Sequence, residues 1–193
     1  MTEQKVKGAL LIPLAMVIQS QKELDWLGKT ELTAEDIKLI KKGILASAWY
    51  DQKLWERMGN AAWRLVGKGT SEGAYMFGYG IAAKTLLGIY ASKIAKDDPG
   101  KVLARFASMY QGTFYTSGSA EFQLKPEGGI FKVSHPEGIP IQECFVPFLR
   151  GFLTKIVEEN KGENVRVECE EEKLAHSQKL NSLTYHIFWE IKK

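Results

Sequence analysis

The chain has 193 residues, with 26 Lys plus Arg, 23 Asp plus Glu and 45% hydrophobic residues. That length supports a buried core without disulfides or structural metals, and a net charge of +3 is too small, and too evenly spread, for a nucleic-acid footprint. The longest nearly uncharged run, Gly8 to Ser20, is too short for a bilayer span and has no cleavage site after it, which argues against an anchor or a secretory leader. Two cysteines, Cys144 and Cys169, without a CxxC pair fit a reducing, cytoplasmic setting.

Residues 1–6 are polar and read as a frayed end. Lys7 to Gln19 is apolar and broken by Pro13, which predicts a strand entering a helix with proline in the first turn. Thr33, followed by Glu35 and Asp36, reads as a helix N-cap with acidic residues beside the positive end of the dipole. Ile37, Ile40, Ile44 and Leu45 recur after it at helical spacing. Asp51 starts a second helix that Gly67 ends, with a broad stripe of Leu54, Trp55, Met58, Ala61, Ala62, Leu65 and Val66.

A third helix is predicted from Ser71 to Ile94 despite Gly73, Gly78, Gly80 and Gly88. Each glycine costs roughly 0.8–1.0 kcal/mol against alanine in a helix interior. Close packing of another helix is the favoured explanation; room for a ligand beside Tyr75, Phe77 and Tyr79 is the alternative. Pro99 opens a fourth helix through Val102, Leu103, Phe106, Met109 and Tyr110.

The period then changes. Ala120, Phe122 and Leu124 alternate with polar residues, Pro126 to Gly129 forms a turn, and Ile130 to His135 completes a hairpin. A fifth helix after Pro140 carries Ile141, Phe145, Phe148, Leu149, Phe152 and Ile156 on one stripe, up to Gly162. Val165–Cys169 and Leu183–Ile191 are two further strands, each with one inner face. The expected architecture is a single α+β domain over 1–193: a helical N-terminal half packed on a C-terminal antiparallel sheet, in the order hairpin, helix, strand, strand.

No catalytic constellation emerges. Gly67 to Gly73 places a lysine among glycines, but a phosphate loop needs a preceding strand and different spacing, so a helix-to-helix turn explains it better. His135, His176 and His186 share no metal-ligand spacing with each other or with the cysteines. Cys144, near a helix entry, is read as structural rather than reactive. Glu168, Glu170, Glu171 and Glu172 read as a solvated strand edge rather than a cation site.

Several segments together carry a resemblance. They are Ile44–Asp51, the helix end Arg64-Leu65-Val66-Gly67, Phe77-Gly78-Tyr79-Gly80, the helix with Cys144 and Gly151, and strands Val165–Cys169 and Tyr185–Trp189. This order resembles the ligand-sensing superfamily of the four-vinyl-reductase domain, the haem nitric-oxide-binding domain and the transport-particle subunits of the Golgi. Within it, the chain is most similar to an uncharacterised bacterial branch known as a large paralogous set in myxobacteria. The resemblance implies a sensing or scaffold fold, often dimeric.

The haem carriers of that superfamily use a helical histidine upstream of a Tyr-x-Ser-x-Arg motif. Here Tyr115 and Ser117 match, Ser119 stands where the arginine is expected, and no histidine precedes residue 135. The resemblance therefore implies no haem through that arrangement. The four-vinyl-reductase branch clusters cysteines near its last strands, where this chain has only Cys169. Golgi subunits hold an acyl chain in an apolar channel, which implies a lipid-like or aromatic guest by analogy.

The expected function is a non-enzymatic regulatory module that binds a small apolar ligand or a partner protein, with no cofactor and no metal. Tyr75, Tyr79, Cys144, Phe148 and Trp189 are the candidate ligand-binding residues, between the third and fifth helices and the last strand. The alternatives are a structural homodimer with a filled core, and an enzyme acting through Cys144 or a tyrosine.

Overall fold

The computed structural model describes residues 4–92, 97–135, 141–171 and 180–191. Pro140, His176 and Glu172, and the predicted end of the third helix at Ile94, lie outside them. The chain begins in β1 (Lys5–Lys7), which pairs antiparallel with β2 (Trp49–Asp51), so residues 5–6 are ordered rather than frayed. Val6 is fully buried there, and that burial fixes the segment against the polar lysines around it. Helix α1 (Gly8–Ser20) follows at once, and Pro13 lies in its interior instead of its first turn. Proline has no N–H to return to the Ala9 carbonyl, and its ring crowds that carbonyl.

Short helix α2 (Trp26–Lys29) leads to α3 (Ala34–Lys42). Thr33 and Asp36 form a reciprocal capping box, as the acidic first turn predicts. The same Asp36 carboxylate receives a two-pronged contact from Arg57, at 2.7 and 2.8 Å, which ties α3 to α4 (Gln52–Leu65). Burial works against the Asp36 charge, but Arg57 and the Thr33 amide outweigh it and hold the carboxyl below its usual range. Gly43, at φ +104°, stops α3, so Leu45 leaves the helical stripe for solvent. Asp51 caps α4 through the Lys53 amide.

The predicted third helix is three segments. Helix α5 (Ser71–Phe77) passes through a π turn at Gly78–Ala82, closed by the Ala83 amide on the Gly78 carbonyl, into α6 (Ala83–Ile89). Its glycines divide into two groups. A Cβ on Gly78 would stand 2.0 Å from the Phe148 carbonyl oxygen, and one on Gly73 2.2 Å from the Gly67 carbonyl oxygen. Gly80 and Gly88 have open space instead. Close backbone approach thus explains two of the four.

Helix α7 (Pro99–Met109) is capped by Asp98 and ends in a turn where Gly112 takes φ +84°. Strands β3 (Ser119–Lys125) and β4 (Gly128–Ser134) form the predicted hairpin. Helix α8 (Phe145–Glu158) crosses from it to β5 (Gly162–Cys169), and β6 (Ser182–Ile191) enters between β4 and β5. The four-stranded sheet has order β3-β4-β6-β5 and is antiparallel throughout. The architecture is α+β. Leu183, Tyr185 and Ile187 bury the inner face of β6, but Trp189 is half-buried and Ile191 is exposed, so that face ends before the strand does. Helix α8 packs on β5 and on the α5 segment, and α1 packs on α4; the space between these pairs holds the site. No helix among the described residues is long and apolar enough to cross a membrane.

Candidate ligand-binding site

A cavity of about 360 Å³ lies between α1, α4, the α5–α6 segment, α7 and α8. Leu10, Pro13, Leu14 and Val17 of α1 form one wall, with Trp55, Ala62 and Trp63 of α4 beside them. The opposite wall is a train of aromatic rings. Trp55 meets Tyr115 edge-on at 6.0 Å and Phe145 at 5.6 Å, Tyr110 stacks on Tyr115 at 4.6 Å, and Phe145, Phe148 and Phe152 follow along α8. Phe106 and Phe114 close the end against Phe152. The wall reaches the surface at Val66, Met76 and Ile81, which are 42%, 52% and 37% exposed and mark the mouth.

The site departs from the predicted one. Cys144 and Phe148 lie in the cavity wall. Tyr75 and Tyr79 do not; they stack on each other outside it, under Arg150 and Lys155, and the Tyr79 hydroxyl donates to Glu158. The crossing of α5 and α8 turns them outward, because Gly78 seats on the Phe148 carbonyl and Gly151 on the Tyr75 carbonyl. Trp189 is also outside the wall, near the end of β6. What the sequence reading missed is α1 and α4, whose apolar stripes looked like ordinary core. The tyrosine pair after Met109 was missed as well.

The few polar groups in the wall gather in one corner. Asn60 Nδ2 donates to Gln142 Oε1 at 3.3 Å, Cys144 Sγ donates to Asn60 Oδ1 at 3.5 Å, and Glu56 lies one turn before Asn60. Burial pushes the Cys144 thiol up to about 12 and raises the Glu56 carboxyl. Tyr110 and Tyr115 are pushed far above the ordinary phenol range by burial, so both stay neutral. Among the described residues the wall holds no Lys, Arg or His.

The remaining sequence candidates sit elsewhere. The Gly67–Gly73 segment is the turn between α4 and α5. His186 pairs with Glu170 on the sheet, Glu168 with Arg166, and Glu171 accepts from the Thr184 amide. His135 lies against Phe145, held neutral by burial that lowers it to about 4. No metal-binding group forms among the described residues.

No family model and no curated protein sequence matches the chain. Solved structures do. An oxygen-binding H-NOX domain related to soluble guanylate cyclases superposes with a TM-score of 0.60 at 14% identity, over 97% of this chain and 99% of that one. An H-NOX protein from S. oneidensis in an Fe(II)NO state gives 0.62 at 10% identity, over 94% and 98%. An unliganded Fe(II) H-NOX mutant from K. algicida gives 0.58 at 12% identity, over 95% and 96%.

The chain has the H-NOX fold. At these identities the likeness concerns the fold alone, so whether the cavity suits a haem must be read from its own wall. Haem carries iron and two anionic side arms, and among the described residues the wall presents no imidazole and no cation to meet them. Ser119, where the resemblance expects an arginine, is exposed at the start of β3. The volume is small as well. At the roughly 25 Å³ per non-hydrogen atom of a benzene-filled 150 Å³ cavity, it suits a guest of about fourteen atoms, far below a tetrapyrrole. The described residues of this cavity do not fit haem.

Proposed function

We propose that this protein is a non-enzymatic sensory or regulatory module that binds a small apolar ligand in the cavity between α1, α4 and α8. The observation that carries the reading is the cavity itself: about 360 Å³ with an almost wholly apolar wall and a surface mouth. Apolar space left unfilled forfeits packing, at about 24 cal/mol per Å³ for whatever part of it is enclosed. A fold with no use for the space would fill it, as the flanking alanines Ala62 and Ala82 allow. Cys144 and Phe148 belong to the proposed wall, together with Trp55, Tyr110 and Tyr115; Tyr75, Tyr79 and Trp189 serve the outer surface. A guest of about ten carbons gains roughly 0.8 kcal/mol per buried methylene, which after the costs of association leaves micromolar to millimolar affinity.

The H-NOX likeness supports a sensing role in general terms, and the lack of an imidazole or cation in the described wall speaks for an apolar guest rather than haem. Ala82→Phe tests the reading. Ala82 is buried in the wall, so the ring of the variant takes up cavity space. Native mass spectrometry is expected to show a retained apolar guest, or capture of an added one, in the natural chain and at least a tenfold loss in the variant, with an equal or higher Tm. Absence of any guest from both would sink the reading.

A homodimer is the second reading, and Met76, Ile81 and Ile89, all exposed along the α5–α6 segment, favour it. Sedimentation is expected to show a dimer that Met76→Lys weakens; a monomer at high concentration would remove it.

A further inference from the structure

We infer that the guest ends in an uncharged hydrogen-bonding head, an alcohol or a primary amide, seated on Glu56, Asn60 and Gln142. The inference rests on the reading of the cavity as a ligand site. Glu56 and Asn60 are one helical turn apart on α4 and so share a face, Gln142 meets Asn60 from the segment before α8, and all three line the cavity. The corner's own bonds leave capacity. The Asn60–Gln142 and Cys144–Asn60 contacts use one Asn60 N–H and one lone pair on each amide oxygen, which leaves one N–H on Asn60 and two on Gln142. Glu56 accepts only a 3.3 Å contact from Gln52 among the described residues, which leaves it as an acceptor. A head that both donates and accepts satisfies this set. A hydrocarbon end would bury these groups without partners, which is unfavourable.

Charge narrows the choice further. Glu56 is the one ionisable carboxylate of the described wall, and although Lys53 and Arg57 lie close enough to favour its charged form, neither lines the cavity where a head would sit. A carboxylate or phosphate head would meet the like charge of Glu56 in a mostly apolar cavity whose described wall offers no cation to contact it. An ammonium head would have to leave water for a single half-buried carboxyl, and that desolvation cancels much of the attraction. The rest of the wall takes the tail, and its volume limits the tail to about ten carbons.

The test is calorimetric titration of the intact chain at pH 8 with 1-nonanol, nonanamide, nonanoate, nonylamine and butylbenzene, the last as a head-free probe. Nonanol and nonanamide are expected to bind at least tenfold tighter than nonanoate. Nonanoate is expected to tighten about fivefold in Glu56→Gln. In Asn60→Leu combined with Gln142→Leu, nonanol is expected to weaken about tenfold while butylbenzene binds at least as well as before, which also reports an intact cavity. Nonanoate or nonylamine binding tighter than nonanol would overturn the inference, as would nonanol insensitive to the double variant. Failure of butylbenzene along with every headed probe would overturn the cavity reading itself, a distinct outcome.

Discussion

Gly78→Val is expected to prevent folding or to remove about 3 kcal/mol or more of stability. The Cβ of any residue there lies 2.0 Å from the Phe148 carbonyl oxygen and 3.0 Å from its carbon, distances that no rotamer can relieve because the obstacle is backbone. Overpacking in ordinary cores costs about 1–3 kcal/mol where side chains can give way, and here none can. Gly151 faces the same crossing from the other side, with its added Cβ 2.1 Å from the Tyr75 carbonyl oxygen. Either substitution forces α5 and α8 apart, and α8 carries Phe145, Phe148, Leu149 and Phe152 of the cavity wall. Gly80→Ala is the control. It has nothing within 4 Å, so stability is expected to hold or rise by up to about 1 kcal/mol through helix propensity. Urea unfolding of the three variants checks the contrast. A Gly78→Val protein as stable as Gly80→Ala would mean that the helices do not meet as described.

Cys144 is expected to react with a thiol reagent at pH 8 about a hundredfold more slowly than an unperturbed cysteine. Raised to about 12, the group is thiolate in only about one molecule in ten thousand at that pH, against roughly a quarter for a free thiol. The higher basicity returns part of the loss as nucleophilicity, with a Brønsted slope near 0.4–0.5, which leaves about two orders of magnitude. Burial of the sulfur slows it further. A Cys169→Ser background isolates the site, and mass spectrometry follows the labelling. The rate is expected to climb nearly tenfold per pH unit up to about pH 11. A fast, pH-insensitive reaction at pH 8 would instead favour the thiol-enzyme alternative. Cys144 sits at the entry to α8 without a side-chain cap, yet its desolvation outweighs whatever the helix end offers.

Local signals in the sequence translated well into local structure. Thr33 and Asp51 are N-caps because a short polar side chain can reach its own helix amides whatever surrounds it, and Pro99 opens α7 as its fixed φ predicts. The β3–β4 hairpin followed from a period of two interrupted by a turn. Signals that depend on a distant partner did not translate. Tyr75 and Tyr79 looked like cavity residues by composition, but Arg150 and Lys155 lie over their rings on the outside. Pro13 looked like a helix start, but β1 pairs with β2, some forty residues away in sequence, and α1 begins five residues before the proline. The polar corner was invisible because Asn60 meets Gln142 across more than eighty residues.

The π turn at Gly78–Ala82 also bears on how chains of this fold can change length. A π turn is an α-helix carrying one surplus residue, absorbed locally. Deleting Gly80, which touches nothing, would join α5 and α6 into one continuous helix from Ser71 to Ile89. Phe77 before the turn and Ala83 after it would keep the directions they face now. A deletion in the regular turns of α4 or α8 would instead swing every later side chain by about 100° and scramble the wall. Insertions and deletions in this lineage are therefore expected to collect at the π turn, where a length change shifts only Ile81 and Ala82 of the wall and leaves the facing of every later residue intact.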